Sequence, residues 1–256
     1  MNEELWSEFY NEACKAIKEN DLDYAEANWR RAWAQVRNLE RNDGRLLMTL
    51  EYFTDLLCQK QKLEEAEPLM LELLEAKENV FGNQDLKVAT THNALAGLYY
   101  SRRDFEKAEE HCGKALEINK AELGEDHPDV LLIMQNLAML FHAREAYEKA
   151  EPLYEAAIKL AEKLHGPHST LTLSITENYM GLLKATGQKN KAKKAKKTLV
   201  LPVLDRLVRL VGEEKELVGT NKGFAGSTLT GLKRDPRKSN QCLYRIKPLP
   251  APDQKE

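Results

Sequence analysis

The feature that most constrains this chain is a register that returns every 42 residues. Tyr147 and Ala150 open an apolar helical stripe that continues through Tyr154, Ala157 and Ile158. One period earlier stand Phe105 and Ala108, and one period before those, Leu63 and Ala66. A step of 41 back reaches Leu22 and Ala25, and a step of 42 forward from Tyr147 and Ala150 reaches Lys189 and Ala192. Gly82, Gly124 and Gly166 keep the same interval. A fixed period of this length marks a stack of supersecondary units, none of which buries its apolar face alone. The core of such a chain grows by stacking and not around one centre.

Each period divides into two helical stripes, A and B, giving about five units over residues 3–40, 44–81, 85–122, 127–164 and 169–201. In the first, Trp6, Phe9, Tyr10, Ala13 and Ile17 share one helical face, and Ala25, Trp29, Ala32, Trp33 and Val36 share the next. Trp29 and Trp33 read as core anchors, because a terminal unit has one neighbour only and gains most from large rings. Gly44, after Arg41-Asn42-Asp43, suits a helix break. Pro68 and Pro152 fall near the start of B helices, where the first amides lack internal partners and a missing N–H costs little. Asp104 is placed to cap the helix that begins at Phe105. Cys112 holds a core position and reads as a small apolar residue.

The fifth unit is degraded. Its B stripe carries Lys189, Lys193, Lys194, Lys196 and Lys197, as expected of a capping unit with a polar outer face. Pro202 ends or kinks that helix, and residues 203–211 read as a capping helix over the exposed apolar edge. The expected division is a solenoid over 1–211, then a linker and flexible tail over 212–256. Residues 219–256 carry a net charge of +5 and residues 1–218 one of −8.

At Leu137, Ala138, Phe141, Tyr147, Ala150, Tyr154 and Ala157 the pattern resembles the tetratricopeptide repeat. Its long period resembles the kinesin-light-chain type of that repeat, with the additional residues expected within Leu123–Val130. The resemblance covers 3–201, most strongly 85–164. It implies an all-α, right-handed α-solenoid and a non-catalytic adaptor that holds a protein or peptide partner in a concave groove lined by A helices. Motor transport is not implied, because there is no room here for the N-terminal heptad coiled coil.

On that register the groove candidates are Asn11, Tyr52, Asn93, Gln135, Asn136, Asn178, Met139 and His142, together with Thr90, Tyr100, Ser101 and Lys184. A carboxamide both donates and accepts, so a ladder of them can hold an extended backbone without demanding a sequence. The alternative is that these amides bond within the solenoid. A second reading uses the lysine face, Lys184–Lys197, and the tail to hold nucleic acid or anionic membrane. The net charge of −3 and the lack of interleaved aromatics disfavour nucleic acid. A third has the chain's own basic tail in the groove.

No GxSxG, P-loop, HExxH or GxGxxG occurs, so neither an enzyme nor a cofactor is expected. The histidines fall in loops or on different helices, and no metal site is expected. Cys14, Cys58, Cys112 and Cys242 form no CxxC pair, which suits reduced thiols in a cytoplasm. The acidic, amphipathic start is unlike a signal peptide, and no apolar run approaches the roughly 20 residues of a membrane span. Homo-oligomerisation is left open.

Overall fold

The computed structural model describes residues 3–193 and 195, and all regular structure there is helical. The A helices are α1 (Glu3–Lys18), α3 (Gly44–Gln59), α5 (Leu86–Ser101), α7 (Pro128–Ala143) and α9 (Thr170–Ala185). They alternate with the B helices α2 (Leu22–Val36), α4 (Leu63–Phe81), α6 (Phe105–Leu123) and α8 (Tyr147–His165). Residues 189–193 and 195 are helical as well. Each helix packs chiefly on its predecessor and successor, as stacked hairpins do. The chain is an all-α solenoid. The expected cap at 203–211 and the tail at 212–256 lie outside the described residues.

The period has a local cause at each turn. Every A helix ends on a residue with left-handed φ: Asn20 (61°), Gln61 (59°), Arg103 (60°), Glu145 (61°) and Gly187 (71°). The following amide then reaches back over the turn. The N–H groups of Asp21, Lys62, Asp104, Ala146 and Gln188 donate to the carbonyls of Ala16, Leu57, Tyr99, Phe141 and Leu183 at 2.8–2.9 Å. This is the long closing bond of a Schellman-type stop. The B helices α4, α6 and α8 end on Gly82, Gly124 and Gly166 at φ 83–85°. The side chains of Asp43, Asp85, His127 and Ser169 then cap the next A helix.

Two expectations change in detail. Gly44 does not break a helix but is the first residue of α3, behind the Asp43 cap. Pro68 and Pro152 lie within α4 and α8, beyond the free amides, so each removes one helical hydrogen bond. Leu123–Val130 spans the end of α6, the connection and the first turn of α7.

The core is a continuous apolar seam. Ala25, Ala66, Ala108 and Ala150 are all at most 1% exposed near the starts of the B helices, and Trp29 is fully buried in the first unit. A second, smaller cluster of Val36, Leu46, Leu50 and Leu73 adjoins Trp6 and Trp33. Outside the seam runs a ladder of carboxylates that the sequence reading did not anticipate: Glu26, Glu67, Glu109 and Glu151, one per B helix. The turn of the following unit supplies cations to each. Lys60 and Lys62 reach Glu26, Arg102 and Lys107 reach Glu67, Arg144 and Lys149 reach Glu109, and Lys191 reaches Glu151.

Glu26 is the most enclosed rung, with its side chain 9% exposed and Lys60, Lys62 and Arg30 at 2.5–2.7 Å. Burial alone would raise its carboxyl, but those three cations outweigh it and hold the pKa down to about 2. A depressed carboxyl stabilises the fold fully above its unfolded value and loses that contribution as pH falls through the folded value. Glu26→Gln should therefore cost about 2–3 kcal/mol at pH 7. The gap from the parent chain should narrow as pH falls from about 4.5 to about 3, as urea unfolding would show. The left-handed turns give the opposite sign. Glu145→Gly should raise stability by about 0.5–1 kcal/mol, because glycine adopts that φ without the steric cost, read as a higher thermal midpoint.

Candidate groove of the A helices

The A helices form one layer and touch across units. The Tyr10 and Tyr52 rings of α1 and α3 meet edge-on at 5.9 Å. Asn136 Nδ2 of α7 donates to Asn93 Oδ1 of α5 at 3.3 Å, and α7 contacts α9. These contacts bring Asn93 and Asn136 together, whereas His142 lies against Tyr147 and Tyr154 of α8, and the depths of the groove candidates differ widely.

At the N-terminal end the surface is aromatic. Tyr52 is half-buried and stacks on Trp29, with ring centres 5.6 Å apart and planes 10° apart. Tyr10 meets the Trp29 ring edge-on at 5.3 Å, and burial pushes its hydroxyl well above the ordinary tyrosine range. Trp6 Nε1 donates to Thr49 Oγ1 at 2.9 Å. The indole N–H groups of Trp29 and Trp33 are buried without a partner among the described residues. Asn11 is exposed. In the second unit, burial first and the neighbouring Glu51 charge next raise the Asp55 carboxyl. Lys77, itself buried, binds Glu51 at 2.9 Å.

The centre corrects the open-ladder expectation. Asn93, Gln135, Asn136 and Met139 are buried, with exposures of 6, 1, 3 and 1%. Asn93 and Asn136 bond to each other, because an amide removed from water must find a partner inside. Gln135 Oε1 and Asn136 Oδ1 remain buried acceptors without a partner among the described residues. Ile133 to Phe141 are buried without interruption; α7 packs on α6, α8 and α9 and reaches α5 through the Asn136–Asn93 bond.

Towards the C-terminus the surface opens again. Asn178 and His142 are half-buried. His142 Nδ1 lies 3.5 Å from the Tyr154 hydroxyl, and burial lowers its pKa. Thr90 and Tyr100 are half-buried, and Ser101 and Lys184 are exposed. Of the lysine face, Lys189 and Lys193 are exposed, while Lys191 belongs to the carboxylate ladder. Lys194, Lys196 and Lys197 lie outside the described residues.

The layer offers amides, hydroxyls and rings and no gathered nucleophile. Cys112 is 1% exposed and burial pushes its thiol up to about 12, so it is inert at neutral pH. Among the described residues no three His, Cys, Asp or Glu side chains gather in a metal-binding arrangement. One juxtaposition escaped the sequence reading: His92 of α5 and His111 of α6, on different helices, touch through their Nδ1 atoms at 2.8 Å.

The model of the tetratricopeptide repeat matches residues 45–111 and 87–163. Residues 45–163 belong to the tetratricopeptide-repeat family. Solved structures, kinesin-light-chain-like repeat proteins among them, share the fold. BtubC (BKLC) from P. vanneervenii is 23% identical, with a TM-score of 0.63 over 87% of this chain and 85% of that one. A putative kinesin light chain of nearly identical TPR-like repeats from Podosopora anserina is 17% identical, with a TM-score of 0.65 over 75% and 92%. The MamA protein is 12% identical, with a TM-score of 0.57 over 87% and 99%. No curated protein matches this chain in sequence. No described helix is long and apolar enough to cross a membrane.

If the central amides serve the solenoid's own structure, removing one strands its partner. Asn136→Ala should cost about 1–2 kcal/mol in urea unfolding, and Asn93→Ala a similar amount. The double variant should cost less than the sum, with a coupling of about 0.5–1 kcal/mol in a double-mutant cycle.

Proposed function

We propose that this tetratricopeptide solenoid is a non-catalytic, cytoplasmic adaptor that holds a segment of a protein partner along its A-helix layer. The observation that carries the reading is the division of the two layers. The B helices are clasped by the carboxylate ladder, while the A layer keeps Asn11, Tyr52, Asn178 and His142 at least partly open. Such groups bind an extended backbone through paired donors and acceptors. The contacts are Asn11 and Tyr52 at one end and Asn178 and His142 at the other. Asn93, Gln135, Asn136 and Met139 form the floor between them. The widely spaced cysteines, which form no CxxC pair, support a reducing compartment.

A second reading rests on charge: the basic stretch 219–256, at +5 against −8 for the rest, is the occupant of the groove until a partner displaces it.

A capture experiment at physiological salt separates these readings from phosphate binding. The parent chain is compared with Asn11→Arg/Asn178→Arg, which obstructs the groove, and with Lys189→Glu/Lys193→Glu, which reverses the lysine face. The adaptor reading expects a protein partner that is lost on the first variant and kept on the second. The reverse pattern, with nucleic acid recovered and steep loss on raising salt, would overturn it. A photo-crosslinker at position 178 of the full chain tests the second reading: it expects crosslinks to 219–256 in the free protein that disappear when partner is added.

A further inference from the structure

His92 and His111 occupy positions that the neighbouring units fill with hydrocarbon. One period back stand Leu50 and Leu69, and one period on stand Met134 and Leu153. Only the third unit replaces this apolar contact of an A helix with a B helix by an imidazole pair. Both rings are buried, at 4 and 9% exposure. Their centres are 5.1 Å apart, and His111 stacks on Tyr99 at 5.5 Å with planes 16° apart.

The 2.8 Å contact between the two Nδ1 atoms requires one Nδ1 to carry a proton and the other a lone pair, so two neutral rings there adopt opposite tautomers. The outer nitrogen of His92, Nε2, lies 3.9 Å from Glu78 Oε1. It faces a cavity of about 230 Å³ lined by Glu78, Asn83, Gln84, Lys114, Glu117 and Ile118. Water and protons therefore have a polar entrance to a buried contact.

We propose that the His92–His111 pair is an acid-sensitive latch that holds the central repeat closed and releases α5 from α6 when it takes up two protons. The first proton goes to the free Nε2 of whichever ring carries its hydrogen on Nδ1. It leaves the Nδ1–H to Nδ1 bond intact. The second places a proton on both Nδ1 atoms, so that two donors and two like charges face each other. The rings must then separate.

The charges around the pair come from three helices. Glu78 projects from α4. Lys107, Glu110, Lys114 and Glu117 come from α6, with Lys114 held by Glu110 at 2.7 Å. Tyr99 of α5 stays neutral, since burial and its bond to Glu67 push the phenol up to about 12. On α7 the titratable residues are at the ends: Asp129 lies beside His127, and His142 beside Tyr154. Burial first and the other imidazole next push His92 down to about 4, and burial lowers His111 too. Unfolded imidazoles bind protons near pH 6.5. The latch therefore contributes fully above about pH 6.5 and fails progressively as pH falls below it. Because a solenoid is coupled only to nearest neighbours, the third unit can loosen while the others remain folded. The A-layer face of α5, in the middle of the groove, would move with it.

Nuclear magnetic resonance of the full chain tests the contact directly. Expected are one Nδ1-protonated and one Nε2-protonated imidazole at pH 7.5, both titrating below pH 6 in coupled steps. Two rings that titrate independently near pH 6.5 would overturn the proposal. Thermal unfolding from pH 7.5 to 5 then compares the parent chain with His92→Leu/His111→Leu, the pair the second unit already uses. The parent midpoint should fall more steeply than the variant's, with a pH slope approaching two protons. Hydrogen exchange of residues 86–123 at pH 5 should run at least about tenfold faster in the parent than in the variant. Parallel profiles would refute the latch, and if the double variant fails to fold, the resonance titration of the parent chain decides alone.

Discussion

The structure depends on how closely one helix approaches the next at the start of each B helix. Ala25, Ala66, Ala108 and Ala150 are enclosed to within 1%, and any larger side chain there would force the hairpins apart. Close approach lets the rings and leucines of adjacent units interdigitate into one seam. Packing of that density is what a stack without a central core requires. The left-handed turn residues deliver each B helix into this contact at a constant angle, which is why unrelated side chains at Asn20, Gln61, Arg103 and Glu145 share one conformation.

The carboxylate ladder and the amide floor solve different problems. The ladder lies on the partly wet edge, where an ion pair adds little stability unless it is enclosed as Glu26 is. Its value is in alignment: each B helix is tied to the next turn by a charge. The amide floor is dry, so its groups are costly unless paired. Asn93 and Asn136 meet that cost together, whereas Gln135 Oε1 and Asn136 Oδ1 are buried without a partner among the described residues.

Much of this was legible in the residues. The period, the alternation of helices and the buried roles of Trp29 and Cys112 follow from spacing, because a helical face is set by register alone. Asp104 was readable as a cap, since capping needs only a local side chain. Depth was not legible. Register places Asn136 and Asn178 at one position of successive A helices, yet one is buried and the other is not, because depth depends on what lies over the helix. The carboxylates recur at Glu26, Glu67, Glu109 and Glu151, a signal overlooked because acidic residues are common on every B helix. The His92–His111 contact could have been suspected by reading each position against its counterparts, where Leu50 and Leu69 made the polar pair conspicuous.

The constancy of the turns has an evolutionary corollary. Because caps, stops and clasps recur in the same phase, excision of one whole period would leave its flanks compatible: Glu67 would meet Arg144 and Lys149 in place of Arg102 and Lys107. A lineage carrying such a chain can lengthen or shorten its working surface only in whole-unit steps. Each step supplies its own fastening, so partner size can be tracked by duplication without redesigning the joints.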